Sequence, residues 1–300
     1  MTPTLVRHHR LHRHTDPYAD PSLPLDAGTR ARDRAGIQER MLAPLYEAVY
    51  ERLEVGAATR LLSLGRGSGL ALLIAASRGA RVTGVGTGRE RLAPARERLL
   101  PDPGHVTGPP GGPAAGCAAR PAVGGPAAAP PAAGGPYNLI TAFHPIGCVA
   151  GDAEGLAPAL ESALPLAVRG ARVVLTGWGP PERCATAAVL RAASRRAGAG
   201  PARGGPADGW RGARRDDLEE AAARAGLRPD GSGRVSCPFG YADLDSAVRG
   251  LLSTGLFDAA VRTADRAPVE KEMAQALRPY QRPDGTVWMP NVFRYLVCLA

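Results

Sequence analysis

The sequence predicts an α/β fold in which a mostly parallel sheet is covered by helices on both faces. Short apolar runs typical of strands alternate along the chain with longer segments of helical periodicity, and this alternation favours a parallel sheet. The apolar run 61–64 ends in closely spaced glycines, and the helix-compatible run 70–76 and a second strand-like run, 81–86, follow it. Of the 300 residues, 44% are hydrophobic, which is enough to bury the core of one large domain.

The first 32 residues predict a flexible arm, because they are rich in proline and charge. In a helix, His8 and His12 would share a face at a spacing that suits a metal ion, but no carboxylate or cysteine completes a ligand set, so no metal is predicted. The folded domain, 33–300, begins with apolar residues that recur every four positions as far as residue 53. Pro44 interrupts this pattern, which predicts a short helix, a break and a second helix that starts near Pro44.

The glycine stretch 65–69 predicts a tight turn from the first strand into a helix. Gly65, Gly67 and Gly69 lack a Cβ atom, so the backbone here can turn sharply and approach a ligand closely. The N-terminal amides of the following helix would face the carboxylate of that ligand. With a strand before it and a helix after it, this loop is typical of half a nucleotide-binding α/β unit.

The segment 101–136 breaks the pattern, since 29 of its 36 residues are Gly, Ala or Pro. This composition offers too little bulky apolar surface to order the chain, and it predicts a low-complexity loop with at most a stub of the third strand, at Val106 or near 122–123. A helix is predicted just before it, at 89–100. The later predicted elements are strands at 137–143, 171–176, 234–237, 286–289 and 292–299, helices at 156–168, 183–197 and 216–225, and a helical insert at 238–284.

The charge and the cysteines narrow the classes of function. The net charge of +9 rests on arginine, with Lys271 the only lysine, and beside abundant glycine, alanine and proline this ratio indicates GC-rich coding rather than a nucleic-acid partner. The five cysteines are far apart, which suggests neither disulfides nor zinc and favours the reducing cytoplasm. No apolar run approaches the roughly 18 residues that span a bilayer, and the N-terminus lacks a signal-peptide core, so no membrane location is predicted.

Residues 62–69, Leu-Ser-Leu-Gly-Arg-Gly-Ser-Gly, resemble the first motif of class I S-adenosyl-L-methionine (SAM)-dependent methyltransferases, whose usual form is apolar-Asp-apolar-Gly-Cys-Gly-Ser/Thr-Gly. The resemblance runs from about residue 35 to 299, and its last part, 291–297, is similar to the closing strand of small-molecule enzymes of actinobacteria. It implies a Rossmann-like sheet of seven strands, one of them antiparallel. It also implies an N-terminal helical lid and a C-terminal helical insert that shape the pocket for a small-molecule acceptor.

The same resemblance implies a SAM site with weakened polar contacts. The implied cofactor contacts are Ser63, Gly65, Arg66, Gly67, Ser68, Gly69, Gly86 and Thr87. Ser63 stands where the family prefers an acid, and Gly86 stands where an Asp or Glu normally binds both ribose hydroxyls, while the low-complexity loop replaces the acid that contacts the adenine. A hydrogen bond to a charged group contributes roughly 1.5–3 kcal/mol, so each loss weakens SAM binding about ten- to a hundredfold.

His144 is the candidate catalytic residue, because it follows the fourth strand at the sheet edge where such enzymes contact the acceptor. A histidine there could take a proton from an oxygen acceptor near neutral pH, and the alternative is a loop histidine bonded to the backbone. Trp178 and Gly179, after the fifth strand, line either the acceptor pocket or the core. Tyr46 and Tyr50 of the N-terminal helix likewise either close over a ligand or belong to the core.

Two functions of different class follow. The leading hypothesis is a cytoplasmic protein that binds SAM weakly and transfers its methyl group to a small molecule. The alternative is a non-catalytic regulator that binds a metabolite, or a protein partner through the insert 238–284. An NADP-dependent dehydrogenase ranks below both, since Leu70 stands where the dinucleotide fingerprint needs a glycine. A further hypothesis, DNA binding, is supported only by the high arginine content.

Overall fold

The structure, a computed structural model, describes residues 27–65, 67–86, 120–123, 129, 135–196 and 211–300. The arm histidines, the predicted helix 89–100 and most of the low-complexity loop lie outside the described residues, and so do the candidate SAM contacts Arg66 and Thr87. The described residues include the other candidate contacts and the candidate catalytic residue, His144.

The core of the described chain is a sheet of seven strands. In spatial order these are β3 (Arg120–Val123), β2 (Arg81–Gly86), β1 (Arg60–Leu64), β4 (Tyr137–Ile146), β5 (Ala167–Trp178), β9 (Val292–Leu299) and β6 (Arg228–Ser236). β9 is antiparallel to both of its neighbours, and every other pairing in this sheet is parallel. Two further strands, β7 (Phe239–Tyr241) and β8 (Val287–Met289), form a separate antiparallel pair. The mostly parallel sheet that the sequence predicts is confirmed.

Helices fill most of the rest of the described chain. They are α1 (Ala27–Asp33), α2 (Ala43–Arg52), α3 (Leu70–Ser77), α4 (Leu156–Ala163), α5 (Ala185–Arg196), α6 (Asp217–Arg224), α7 (Leu244–Ser253), α8 (Asp258–Ala264) and α9 (Arg266–Leu277). Between α1 and α2 the chain forms a π-helical turn, Arg34–Gln38, and a 3₁₀ turn, Glu39–Leu42.

Helices cover both faces of the sheet. Successive residues of a strand point to opposite faces, so the packing of neighbouring strand residues shows which helices lie on each side. In β1, Leu61 packs into a hydrophobic cluster with α2, α3, α5 and the insert, whereas Leu62 packs into a second cluster with α4 and α6. Val174 and Val173 of β5 divide between the two clusters in the same way. All four side chains are fully buried. The helical layers on both faces confirm the predicted fold class.

Three strands are longer than the sequence predicts. β5 begins at Ala167, inside the predicted helix 156–168, and ends at Trp178 rather than at 176. β4 continues past residue 143 through His144 to Ile146, with an irregular register to β5 over its last residues. β6 begins at Arg228 rather than at 234. The residues 228–233, Arg-Pro-Asp-Gly-Ser-Gly, have the composition of a turn, but β6 is an edge strand, where proline and glycine are tolerated.

The N-terminal helical segment also differs from its prediction. Helix α1 begins at Ala27, before the predicted start at 33, and Ala31 is already buried. Instead of a break, the π-helical and 3₁₀ turns lead directly into α2, whose second residue is Pro44, so the predicted second helix near Pro44 is confirmed. Proline is well suited to the first turn of a helix, because it has no N–H group to leave unpaired there.

The N-terminal helical segment packs against the insert. The Asp33 carboxylate pairs with the Arg249 guanidinium of α7, and the Tyr241 hydroxyl donates a buried hydrogen bond of 2.8 Å to Gln38 Oε1. Gly250 lets α7 approach closely, since a Cβ atom there would lie 2.8 Å from the Tyr241 ring and 3.1 Å from Gln38 Oε1. These contacts fix the position of the turn that follows Gln38.

Trp178 and Gly179 belong to the core rather than to the lining of a pocket. The Trp178 ring lies 4.6 Å from the Phe293 ring and 6.2 Å from the Phe239 ring, measured between centroids. The Gly179 amide donates a hydrogen bond of 2.8 Å to the carbonyl of Val292. Both residues therefore join the end of β5 to β9.

The substitution Gly179→Ala is expected to destabilise the fold by about 1–3 kcal/mol, because overpacking forces the backbone to shift. A Cβ atom on Gly179 would lie 2.7 Å from the Val292 carbonyl oxygen, which belongs to the backbone and cannot rotate away. Urea unfolding followed by circular dichroism measures the loss. Gly56→Ala is the matched control, since the nearest atom to its Cβ position is the Arg78 carbonyl oxygen at 3.7 Å, an ordinary contact, and equal stability of the two variants would refute the steric explanation.

Candidate functional site

The glycine loop lies at the carboxyl edge of the sheet, at the point where the strand order reverses. β1 has β2 on one side and β4 on the other, and in open α/β sheets ligands bind in the crevice that forms at such a point. A cavity lies in this crevice and has about 30 Å³ of free volume. Its lining comprises Glu39, Tyr46, Ser63, Leu64, Gly65, Gly67, Gly69, Ala71, Leu72, Gly84, Val85 and Phe143.

Two glycines give the loop its shape. Gly65 has φ +148° and Gly69 has φ +88°, backbone conformations that L-amino acids with a side chain rarely adopt. The Gly65 amide donates a hydrogen bond of 3.3 Å to the Val85 carbonyl at the end of β2, and Gly69 is the N-cap residue of α3. The chain can therefore turn directly from β1 into α3 while its backbone stays open to the cavity.

A carboxylate of the chain itself bonds the glycine loop just before α3. Glu39 Oε1 accepts a hydrogen bond of 2.9 Å from the Ser68 amide, and the Glu39 side chain is only 2% exposed. Gly67 leaves room for this contact, because a Cβ atom there would lie 2.9 Å from Glu39 Oε1. The predicted role of the N-terminal amides of α3 towards a ligand carboxylate stays a prediction, since α3 begins at Leu70 and the Glu39 contact is made at Ser68, before the N-cap residue Gly69. No local pattern in the sequence singles out Glu39.

Two aromatic rings, those of Tyr46 and Phe143, also line the cavity. The rings of Tyr46 and Phe143 lie 4.8 Å apart, and the Tyr50 ring lies 5.6 Å from Phe143. Burial, with a smaller effect of the Glu39 carboxylate, raises the pKa of Tyr46 well above its ordinary value, so its hydroxyl stays neutral. The Tyr50 hydroxyl donates a hydrogen bond of 3.0 Å to the Ala71 carbonyl of α3, which places Tyr50 in the core.

The strand ends that border the cavity carry few charged groups. Ser63 lies in β1 and pairs in register with Gly84, and Gly86 ends β2 beside Val123 of β3. Neither Ser63 nor Gly86 can supply a carboxylate. Among the described residues that line the cavity, Glu39 is the only acid. Within the described lining, the negative charge therefore comes from Glu39 of the N-terminal segment and not from the strand ends.

His144 lies inside β4 and is half-buried, one residue beyond Phe143. It is not among the described residues that line the cavity. The turn after β4 is held by Asp152, whose Oδ2 accepts hydrogen bonds of 2.8, 2.9 and 3.1 Å from the amides of Gly147, Cys148 and Val149. His144 is therefore followed by a firmly anchored turn, and the predicted loop histidine is instead a strand residue.

The described cysteines are unsuited to nucleophilic chemistry. Cys148, Cys184, Cys237 and Cys298 are buried free thiols. Burial raises the pKa of Cys237 to about 12 and that of Cys298 to about 11, and it also raises the pKa of the other two. Since the thiolate is the reactive form, these groups stay inert near neutral pH. Among the same described residues, no group of three or more His, Cys, Asp or Glu side chains could hold a metal ion.

Comparison with known proteins shows the fold. A scan against protein-family models and a search of curated proteins gave no match. Among solved structures, the YcgJ protein from Bacillus subtilis matches with a TM-score of 0.50 at 13% identity, over 85% of this chain and 97% of that chain. The structural match to YcgJ and the order of the seven strands, with β9 antiparallel, agree with the fold that the resemblance to class I methyltransferases implies. The chain has the class I methyltransferase fold.

Two further solved structures are similar at lower scores. The YjhP protein from E. coli matches with a TM-score of 0.48 at 17% identity, over 90% of this chain and 98% of that chain. A SAM-dependent methyltransferase from Geobacter sulfurreducens, solved in complex with S-adenosyl-L-homocysteine, matches with a TM-score of 0.44 at 16% identity, over 91% of this chain and 99% of that chain.

In the part of this methyltransferase-fold chain that the structure describes, no helix has the length and apolar character to cross a membrane.

Proposed function

We propose that this chain binds SAM in the crevice beside the glycine loop and transfers its methyl group to a small-molecule acceptor. The observation that carries the proposal is the position of the cavity, which lies at the switch point of a methyltransferase-fold sheet and is lined by Gly65, Gly67 and Gly69. The insert and the N-terminal helical segment stand next to this edge and would form the acceptor side of the pocket.

The lining of the cavity suits the charge of SAM at its reacting centre. The sulfonium is a cation, and aromatic rings such as those of Tyr46 and Phe143 attract cations. Glu39 adds a negative charge at the same cavity. The free volume of about 30 Å³ is far too small for SAM, so part of the lining has to move to admit the ligand, and we expect the N-terminal segment, which carries Glu39 and Tyr46, to move outwards. This is the behaviour expected of a lid.

When bound, SAM supplies a methyl group that passes to a nucleophilic atom of the acceptor, while the carbon–sulfur bond breaks and S-adenosylhomocysteine leaves. The residues of the chain align the two reactants and exclude water, which is the main requirement of such an in-line displacement. For an oxygen acceptor, we expect the imidazole of His144, the residue after the cavity residue Phe143 in β4, to take up the proton released from the hydroxyl.

The cofactor site is weakened at its ribose end. Gly86 offers no carboxylate to the ribose hydroxyls, and Ser63 lacks the acid that the family prefers at its position. A hydrogen bond to a charged group contributes roughly 1.5–3 kcal/mol. We therefore expect binding in the range of high micromolar to millimolar dissociation constants. Isothermal titration calorimetry with SAM and with S-adenosylhomocysteine tests this directly. No heat from either ligand at millimolar concentration would rule out the proposed function.

The substitution His144→Gln is expected to lower methyl transfer to an oxygen acceptor by about 10²–10⁴-fold, with SAM affinity unchanged. Glutamine keeps the polarity of the side chain but cannot take up a proton. The rate is measured as S-adenosylhomocysteine release with an acceptor identified from a panel of phenols and carboxylic acids. An unchanged rate would show that His144 has a packing role in β4.

A non-catalytic regulator is the second candidate function. The observation that favours it is the scarcity of polar groups at the strand ends, where Ser63 and Gly86 replace the acids of active enzymes. In that case the crevice would hold a metabolite without chemistry, and the exposed side of α7 to α9 would contact a protein partner. SAM binding followed by S-adenosylhomocysteine release argues for the enzyme, whereas metabolite binding without any methyl transfer argues for the regulator.

A further inference from the structure

A larger cavity lies at the amino edge of the sheet, at the opposite end of the strands from the glycine loop. Its free volume is about 450 Å³, within the range of roughly 300–1,000 Å³ that is typical of small-molecule sites. Its described lining comes from the chain between α2 and β1, the first halves of β4, β5 and β6, and the end of β9. It shares no described lining residue with the crevice beside the glycine loop, so the two cavities are separate.

The cavity lies between the end of α2 and the sheet. Leu53, the C-cap residue of α2, lines it together with Leu139 of β4 and Leu299 of β9. Arg172 of β5 pairs in register with both strand leucines, so the three side chains point to the same face of the sheet. Leu139 and Val174, the latter two residues further along β5, belong to the cluster that packs against α2. An arginine therefore stands in an apolar row on the face that α2 covers.

Two of the four polar side chains in the described lining serve the fold. Asn138 Oδ1 accepts a hydrogen bond of 2.8 Å from the Arg60 amide, and Asn138 Nδ2 donates one of 3.0 Å to the Ala58 carbonyl. Thr59 Oγ1 accepts a hydrogen bond of 3.1 Å from the Gly56 amide. These contacts hold the chain that enters β1, and they leave the two charged side chains as the main polar groups that face a ligand.

Those charged side chains belong to Arg172 and Asp230, and both are exposed. Within the described part of the chain, neither side chain forms a hydrogen bond or an ion pair. Asp230 is left out of the pairing between β6 and β9, at an irregularity between Pro229 and Gly231. Such bulges redirect a side chain and are frequent next to binding sites.

Two further guanidinium groups lie near this end of the sheet. Arg228 of β6 pairs in register with Leu299, so its side chain points to the same face as that of Arg172. Arg52, the last residue of α2, lies over β6, because a Cβ atom on Gly231 would be 2.6 Å from Arg52 Nη2. Neither guanidinium has a hydrogen bond or an ion pair with a described residue. Three cations therefore accompany one acid, and the local charge favours an anion.

We propose that this cavity is a second binding site, for a small carboxylate with an apolar body. The carboxylate pairs with the Arg172 guanidinium, whose planar fork matches it with two parallel hydrogen bonds. The apolar body packs against Leu53, Leu139 and Leu299. An arylalkanoate such as phenylpropanoate has this chemistry. The inference is independent of the proposed function, because the site lies at the other edge of the sheet from the glycine loop.

The test titrates the full chain with phenylpropanoate, phenylpropylamine and phenylpropanol, which share an apolar body and differ in charge. Calorimetry is expected to show the carboxylate binding at least about tenfold more tightly than the amine and the alcohol. In Arg172→Gln the affinity for the carboxylate should fall about tenfold, whereas that for the alcohol should stay the same. In Asp230→Asn the affinity for the carboxylate should rise, since a like charge is removed.

Arg169→Gln is the matched control, because Arg169 is an exposed arginine of β5 outside the described lining, and its carboxylate affinity should equal that of the wild type. No binding of the carboxylate at millimolar concentration, equal affinities for the three compounds, or equal losses in Arg172→Gln and Arg169→Gln would overturn the inference. Tighter binding of L-phenylalanine than of phenylpropanoate would also overturn it, since Asp230 would then bind an ammonium. Should Arg172→Gln not fold, as judged by thermal unfolding, the wild-type order of the three compounds decides.

Discussion

Replacing Gly67 by valine is expected to abolish SAM binding, with an affinity at least about a hundredfold lower than that of the wild type. A Cβ atom on Gly67 would lie 2.9 Å from Glu39 Oε1, closer than ordinary van der Waals contact, and the two methyl groups of valine would fill the approach to the loop backbone. Calorimetry with SAM measures the loss, and Gly67→Ala is expected to give an intermediate affinity.

The control for this substitution is Gly56→Ala, which lies before β1 and away from the crevice. The nearest atom to its Cβ position is the Arg78 carbonyl oxygen at 3.7 Å, an ordinary contact. SAM affinity should be the same in Gly56→Ala and in the wild type. Wild-type affinity in Gly67→Val, in a protein with native thermal stability, would show that the ligand does not approach the glycine loop.

The substitution Gly86→Asp is expected to tighten SAM binding about ten- to a hundredfold, because it restores an acid at the end of β2. Gly86 is the last residue of this strand, paired with Val123 of β3, so its side chain would extend from the carboxyl edge where the ribose is proposed to lie. The measurement is again the dissociation constant for SAM, taken at one ionic strength for all variants.

Added negative charge alone could attract a cationic ligand, and Gly155→Asp controls for this effect. Gly155 is the exposed N-cap residue of α4, so aspartate there adds the same charge to the chain at a position where it suits the helix. We expect no change in SAM affinity from this control. Equal affinities in Gly86→Asp and the wild type would show that the ribose does not sit beside β2.

Most of the fold could be predicted because its signals are local. Alternating burial within a strand, as at Leu61 and Leu62, follows from the geometry of the strand itself, and the spacing of the loop glycines follows from the turn that they make. The missed start of β6 has a different cause. The composition of 228–233 is that of a turn, and only the pairing with β9, far away in the sequence, makes it a strand.

The candidate site was less predictable, since its decisive contact is not local. Glu39 and Ser68 are 29 residues apart, and their hydrogen bond exists because the 3₁₀ turn, the insert and the glycine loop meet at one edge of the sheet. The glycines and their place after β1 were predictable from the sequence. The partner of the Ser68 amide was not, because an isolated acid in a helical segment carries no sign of the partner that it will meet.

A crystal structure of the chain with S-adenosylhomocysteine at millimolar concentration tests the proposed site most directly. The ligand is expected in the crevice between the Gly65–Gly69 turn and the Phe143 ring, with the N-terminal segment displaced outwards and Glu39 drawn away from the ligand carboxylate. Density elsewhere would contradict this, for example in the cavity of about 450 Å³ at the opposite edge of the sheet, lined in part by Asn138, Arg172 and Asp230. An unliganded crevice with the Glu39–Ser68 contact intact would contradict it equally.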